Sequence, residues 1–150
     1  MTTPPPPPYL LDTNVLLALI RGNALGTAVD ERFGLRASVQ RSLVCIVTHG
    51  EIQVLASRNN WGAARKGALQ TMLDNLVTVD IGHPAVIDAY VEFDLLSMKH
   101  PQGAIRMGKN DFWIAAATRA SGASLLTTDG DCAHLVPTHL RGDVIDPLSP

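Results

Sequence analysis

The chain has 150 residues, 46% of them hydrophobic, with a formal net charge of −2 and a sequence pI near 6.2. That length is enough to bury a core within one domain, and the composition excludes a disordered chain. Mild acidity argues against a protein that grips duplex DNA by bulk basicity, and two cysteines with no CxxC pair offer no zinc or dithiol motif.

The chain opens with Pro4 through Pro8, which can form only polyproline II. Residues 1–8 are therefore expected to be a flexible extension rather than a ligand for an SH3-like partner, with a single domain over 9–150. No basic and apolar leader pattern stands at the start, and the densest apolar stretch, Val15 to Ile20, is too short to span a bilayer. A cytoplasmic, non-membrane protein is expected, a compartment that suits Cys45 and Cys132 as free thiols.

Tyr9-Leu10-Leu11 predicts a short buried strand that ends at Asp12-Thr13-Asn14. Val15, Leu16, Leu19 and Ile20 then recur at helical spacing up to Arg21-Gly22. A second helix is predicted over 26–36, and the β-branched run 43–47 predicts a fully buried strand. Helices follow over 49–57 and 61–73, then a strand over 76–80. After Gly82-His83-Pro84 a longer helix runs to about Lys99, and residues 101–109 form a basic, Gly-containing loop. The apolar segment 111–120 predicts a helix stopped by Ser121-Gly122. A strand over 124–127, a turn at Asp129-Gly130-Asp131 and a last strand at 144–145 complete the pattern. Strands that alternate with helices and are apolar on both faces imply a three-layer α/β/α sandwich around a mainly parallel sheet.

Such sheets bind ligands at the carboxyl ends of their strands, and the acids concentrate there. Asp12 follows the first strand, Glu51 begins the helix after the second, Asp111 opens the apolar helix before the 124–127 strand, and Asp129 closes that strand. Singly, each has an ordinary explanation: helix caps for Asp12 and Asp111, the macrodipole for Glu51, a turn for Asp129. Jointly, carboxylates this close either raise their pKa values or hold a cation. An all-oxygen donor set favours Mg²⁺, with Mn²⁺ as the alternative, over zinc. Bottom-up, the residues point to metal-dependent phosphoester chemistry without naming the ester.

Leu-Leu-Asp12-Thr13-Asn14-Val-Leu-Leu, Thr48-His-Gly-Glu51-Ile, Lys109-Asn110-Asp111-Phe-Trp113-Ile114-Ala-Ala and Leu-Leu-Thr127-Thr128-Asp129-Gly-Asp131 resemble, in order and spacing, the successive motifs of PIN domains. The compact size and the Asn-Asp-Phe-Trp-Ile-Ala form resemble the VapC-type toxins of toxin–antitoxin pairs. The resemblance implies a PIN-like fold and a metal-dependent endoribonuclease, with an antitoxin partner and a homodimer. It implies Asp12 and Asp111 as the main metal ligands, completed by Asp129, with Glu51 for a second ion or a water. Asn14, Thr127 and Asp131 stand as supporting residues around the acids, Asp131 more simply as a solvated turn residue. Arg58, Arg65, Lys66, Arg106 and Lys109 are candidates for RNA phosphates. Two features depart from the pattern: Cys132 follows Asp131 where the family commonly has Phe, and the proline tract is atypical.

Other chemistries fit less well. His49-Gly50-Glu51 spells HxE, but a zinc deaminase also needs P-C-x-x-C, which is absent. Asn14 stands where a dehalogenase-like phosphatase carries its second Asp, and the glycines of a P-loop or Rossmann site are missing. A catalytically silent PIN-like binding module or another Mg²⁺-dependent phosphoesterase are the remaining alternatives. Asp88, Glu92 and Asp94 on the long helix are expected to form a solvated face, with Val91, Leu95 and Leu96 on its other side.

Overall fold

A computed structural model describes residues 7–150; the predicted extension lies largely outside the described residues. Five parallel strands, β1 (Tyr9–Leu11), β2 (Leu43–Cys45), β3 (Val77–Val79), β4 (Ser124–Thr127) and β5 (Gly142–Val144), stand in the order β3-β2-β1-β4-β5. Six helices cover them: α1 (Thr13–Arg21), α2 (Ala24–Phe33), α3 (Ile46–Arg58), α4 (Ala63–Asp74), α5 (Pro84–Met98) and α6 (Lys109–Ala120). The result is the α/β/α sandwich expected from the alternating pattern. The chain winds outward from β1 to β3, then returns past β1 to β4, so the winding direction reverses between β1 and β4. Such a reversal opens a crevice at the carboxyl ends of those two strands.

Side chains alternate across each strand, and this splits the core in two. Leu10, Cys45 and Leu125 face one apolar cluster with α5 and α6 residues such as Phe93, Phe112 and Ile114. Leu11, Val44 and Leu126 face the other, with Val15, Leu16, Ile52 and Trp61. Burial on both faces explains why these strands lack the polar alternation of a half-exposed sheet. No helix of the described residues is long and apolar enough to cross a membrane.

Several boundaries differ from the sequence reading. The run 43–47 is a strand only through Cys45, and Ile46 and Val47 begin α3 three residues before the predicted start. Cys45 pairs with Val79, the last residue of β3, so the ladder has no partner beyond it. Ile46 is accordingly 40% exposed rather than buried in a sheet. Helix α6 starts at Lys109, capped by Gly108, so Asp111 sits in its first turn instead of opening it. The last strand falls at Gly142–Val144, slightly before its predicted place. Helix α5 also turns differently: it buries Val86, Ala89, Phe93 and Ser97, leaving Val91 and Leu95 exposed on the same cavity wall as Asp88 and Glu92.

Candidate metal centre

Asp12 stands where β1 ends, its N–H still donating to the Leu126 carbonyl of β4 at 2.9 Å. It also caps α1, its Oδ1 accepting from the Thr13 N–H at 2.8 Å. Its other oxygen, Oδ2, accepts from the Thr127 hydroxyl at 2.6 Å. Only 7% of the residue is exposed. Burial pushes its pKa up, opposed by these two hydrogen bonds and assisted by the charges of Glu51 and Asp129. Both ordinary roles of Asp12, cap and buried hydrogen-bond acceptor, coexist with membership of the cluster.

Thr127 serves two acids. While its hydroxyl donates to Asp12, the same oxygen accepts from the Asp129 N–H at 3.0 Å. Asp129 in turn starts a 3₁₀ turn over Gly130–Cys132, its Oδ1 accepting from the Asp131 N–H at 2.9 Å. The strand end thus sets Asp12 and the Asp129 turn relative to each other.

Glu51 arrives from the second turn of α3. Its Oε1 accepts from the Thr13 hydroxyl at 2.8 Å, and Thr13 Oγ1 lies 3.0 Å from Thr48 Oγ1. Because the Thr13 proton is used on Glu51, the buried Thr48 hydroxyl is the donor to Thr13.

Asp111 comes from the first turn of α6, close behind Gly108, where an added Cβ would lie 3.3 Å from Asp111 Oδ2. A helix N-terminus normally favours a carboxylate. Here burial, followed by the charges of Asp12, Asp129, Glu51 and Asp131, raises its pKa to about 6. The four acids named from the strand ends therefore share one electrostatic environment, together with Asp131. Asp12, Asp111, Asp129 and Asp131 line one small pocket with Met107, Ile114, Thr127 and Cys132. Glu51 lines a separate groove of about 480 Å³ with Val54, Arg58 and Asn110, the residue before Asp111.

Among the described residues Asp111, Asp129 and Asp131 each offer an oxygen within 4.8 Å of the others, a set that does not include Asp12 or Glu51. The donors are all carboxylate oxygens, and the pKa values of Asp12 and Asp111 are raised by burial and by the neighbouring acids. Among the described residues no Lys or Arg forms a salt bridge to any of the five acids. This donor set fits a hard divalent cation.

The remaining sequence candidates divide. Arg58 is on the groove wall beside Glu51, and Lys109 begins the helix that carries Asp111. Arg106 is exposed next to Met107 of the acidic pocket. Arg65 lies over the Trp61 ring at 5.2 Å, and neither it nor the exposed Lys66 lines the pocket or the groove. Asn14 is exposed, whereas its neighbour Thr13 makes the contact to Glu51. Sequence reasoning assigned no role to Thr13 or Thr48, although both lie inside the quoted motifs. His49 of the HxE triplet turns its Nε2 to Thr78, 3.0 Å away, and takes no part in the acidic pocket.

The family profile described as "PIN domain" matches residues 9–136. Among solved structures the fold is similar to VapBC2 from Rickettsia felis, bound to a promoter DNA fragment, with a TM-score of 0.72 at 20% identity over 90% of this chain and 96% of that one. It is likewise similar to VapBC-1 from nontypeable Haemophilus influenzae, with a TM-score of 0.70 at 19% identity over 90% and 96% of the two chains. A third similar structure is VapBC-5 from Mycobacterium tuberculosis, with a TM-score of 0.61 at 20% identity over 93% and 98%. No curated protein matches the chain. A profile match over most of the sequence, on a fold whose strand ends gather the acids, shows that this chain belongs to the PIN-domain family.

Proposed function

We propose that this chain is a metal-dependent endoribonuclease, the toxin of a toxin–antitoxin pair, working in the cytoplasm as a single domain from residue 9 onward. The observation that supports the reading is the small pocket that Asp12, Asp111 and Asp129 share beside the ends of β1 and β4, with Glu51 held nearby through Thr13 and raised pKa values on Asp12 and Asp111. Family membership supports a nuclease, and the similar folds described as toxin–antitoxin complexes support an antitoxin partner. RNA is the substrate and a second copy of the chain the other partner in this reading.

Asp12, Asp111 and Asp129 would hold Mg²⁺, or Mn²⁺ in its place, with Asp131 close enough to Asp111 and Asp129 to contribute. When bound, the ion supplies Lewis-acid charge against a phosphodiester and makes water a stronger acid. The chain's own residues do the rest. Thr127 holds one Asp12 oxygen and fixes the turn of Asp129. Glu51, oriented by Thr13 through Oε1, keeps its other oxygen to accept a proton from the attacking water. Arg58 on the groove wall and Lys109 at the start of α6 would meet substrate phosphates. In-line attack would break the P–O3′ bond, and the leaving 3′-oxygen would take a proton from solvent, giving a 5′-phosphate and a 3′-hydroxyl.

Cleavage of a fluorophore- and quencher-labelled single-stranded RNA, followed with and without Mg²⁺ or Mn²⁺, tests this reading. Asp12→Asn and Asp111→Asn should each reduce metal-dependent cleavage to background while the circular dichroism spectrum stays native. Full activity in both variants refutes the assignment. A folded wild-type chain that neither cleaves RNA nor gains thermal stability from millimolar metal is a silent binding module instead.

A further inference from the structure

Ser97 stands on the buried side of α5 with 1% of its surface exposed, outside the acidic pocket. A buried hydroxyl on a helix commonly satisfies itself on the carbonyl one turn back. Thr118 of α6 does so, donating to the Ile114 carbonyl at 2.8 Å. Ser97 instead reaches to another segment, where its Oγ lies 2.7 Å from Nε2 of His134.

That contact leads to the acids. The ring of His134 also donates to the backbone of Asp131. A neutral imidazole that donates through one nitrogen accepts through the other, so the Ser97 hydroxyl is the donor to Nε2. Two overlapping tight turns join Asp131 to His134, from the Ala133 N–H to the Gly130 carbonyl at 3.0 Å and from the Leu135 N–H to the Cys132 carbonyl at 2.9 Å. They leave little slack, so a shift of the His134 ring passes to Asp131. Ser97 holds a second segment as well. Its carbonyl accepts from the Ile105 N–H at 2.8 Å, shortly before Met107 of the acidic pocket and the Gly108 cap of α6. The sheet, through Thr127, fixes Asp12 and the start of the Asp129 turn. Ser97 fixes the far end of that turn, and the approach to Asp111, from the opposite side.

We infer that Ser97, acting through His134, is a positioning residue for Asp131 and thereby sets the affinity of the acidic pocket for its divalent cation. The inference rests on the metal part of the proposed function and is independent of the RNA part.

Binding of Mn²⁺ alone to the full chain, followed by electron paramagnetic resonance of the free ion, tests it without any RNA. Loss of a group that orients a metal ligand weakens metal binding by about 10–100-fold. Ser97→Ala and His134→Phe should each raise the Mn²⁺ dissociation constant at least tenfold while circular dichroism stays native. Because the two residues act in one chain of contacts, the double variant should lose no more than either alone. Thr118→Ala, which removes a buried hydroxyl near the far end of α6, should leave the constant unchanged, so a general loss of stability does not mimic the effect. Should Ser97→Ala fail to fold, His134→Phe at its half-buried position decides the question. Wild-type affinity in these variants, or in Asp131→Asn, overturns the inference and leaves the rest of the metal centre standing. So do losses at Ser97 and His134 that multiply in the double variant. A wild type that binds no Mn²⁺ overturns the metal reading and this inference with it.

Discussion

The hydroxyl of Thr13 donates to Glu51 across 2.8 Å, tying the turn after β1 to the helix after β2. Thr48 completes the chain of hydroxyls from the buried side. Thr13→Val keeps the volume and removes both contacts, so Glu51 loses its orientation and Thr48 its acceptor. Loss of a group that orients an active-site acid costs roughly 10–100-fold in activity. The expected outcome is a fall of that size in kcat with little change in KM, and recovery of most of it in Thr13→Ser. An unchanged kcat in Thr13→Val would show that Glu51 needs no such anchor.

The charge of Asp111 makes stability depend on pH in an unusual direction. Its folded pKa, about 6, lies above the ordinary value of 3.8 because burial and the neighbouring acids disfavour the carboxylate. The stability contributed by this group is therefore fully present below about pH 3.8 and is lost as pH rises through about 6. Asp12 shifts in the same direction. Metal-free protein should lose thermal stability between pH 5 and pH 7.5 more steeply in the wild type than in Asp111→Asn, which cannot ionise there. Added Mn²⁺ should reverse the trend, stabilising more at pH 7.5 than at pH 5 because protons compete for the same oxygens. Parallel pH profiles for the wild type and Asp111→Asn would remove Asp111 from the coupled cluster.

The acids were legible because a buried parallel strand ends abruptly, and Asp12 and Asp129 mark two such ends in the sequence itself. The reversal between β1 and β4 that brings those ends together is a property of strand order, which no local pattern contains. Periodicity also failed at Ile46 and Val47: β-branched residues suit either element, and only the end of the ladder at Cys45 and Val79 decides between them. Asp131 looked like a solvated turn residue, and it is exposed. Its nearness to Asp111 arises from the Asp129 turn folding back, a contact between residues from two different elements. On α5 the sequence reading set Val91 and Leu95 on the side away from the acids, but packing against α6 buries Val86, Ala89, Phe93 and Ser97 and leaves those two exposed.

Arg58 and Arg65 are seven residues apart, yet they sit in different surroundings. Arg58 walls the groove that contains Glu51, whereas Arg65 stacks over Trp61. A groove cation that meets RNA phosphates releases counterions, so its loss should flatten the salt dependence of binding by about 0.7 in log–log slope for a single strand. Fluorescence anisotropy with labelled RNA and the inert Asp12→Asn background measures this directly. Arg58→Gln should weaken binding and lower the slope, while Arg65→Gln should leave both near the parent values. Equal effects from the two substitutions would mean that the groove is not the path of the substrate.

The junction of α1 and α2 places a strict demand on one residue. Gly26, in the first turn of α2, donates its N–H to the capping Asn23 side chain at 2.9 Å. A Cβ on Gly26 would meet the Ala18 carbonyl oxygen at 2.2 Å and its carbon at 2.6 Å, both backbone atoms of α1 that cannot rotate away. Gly67, inside α4, has nothing within 4 Å of the same position. The two glycines should therefore respond oppositely to alanine. Gly26→Ala forces the helices apart and should cost about 1–3 kcal/mol, as overpacking does. Gly67→Ala removes only the backbone entropy of an exposed helical glycine and should stabilise by about 0.5–1 kcal/mol. Chemical denaturation resolves differences of this size, and a neutral Gly26→Ala would mean that α1 and α2 are not in the close approach that seats the Asp12 helix against the sheet.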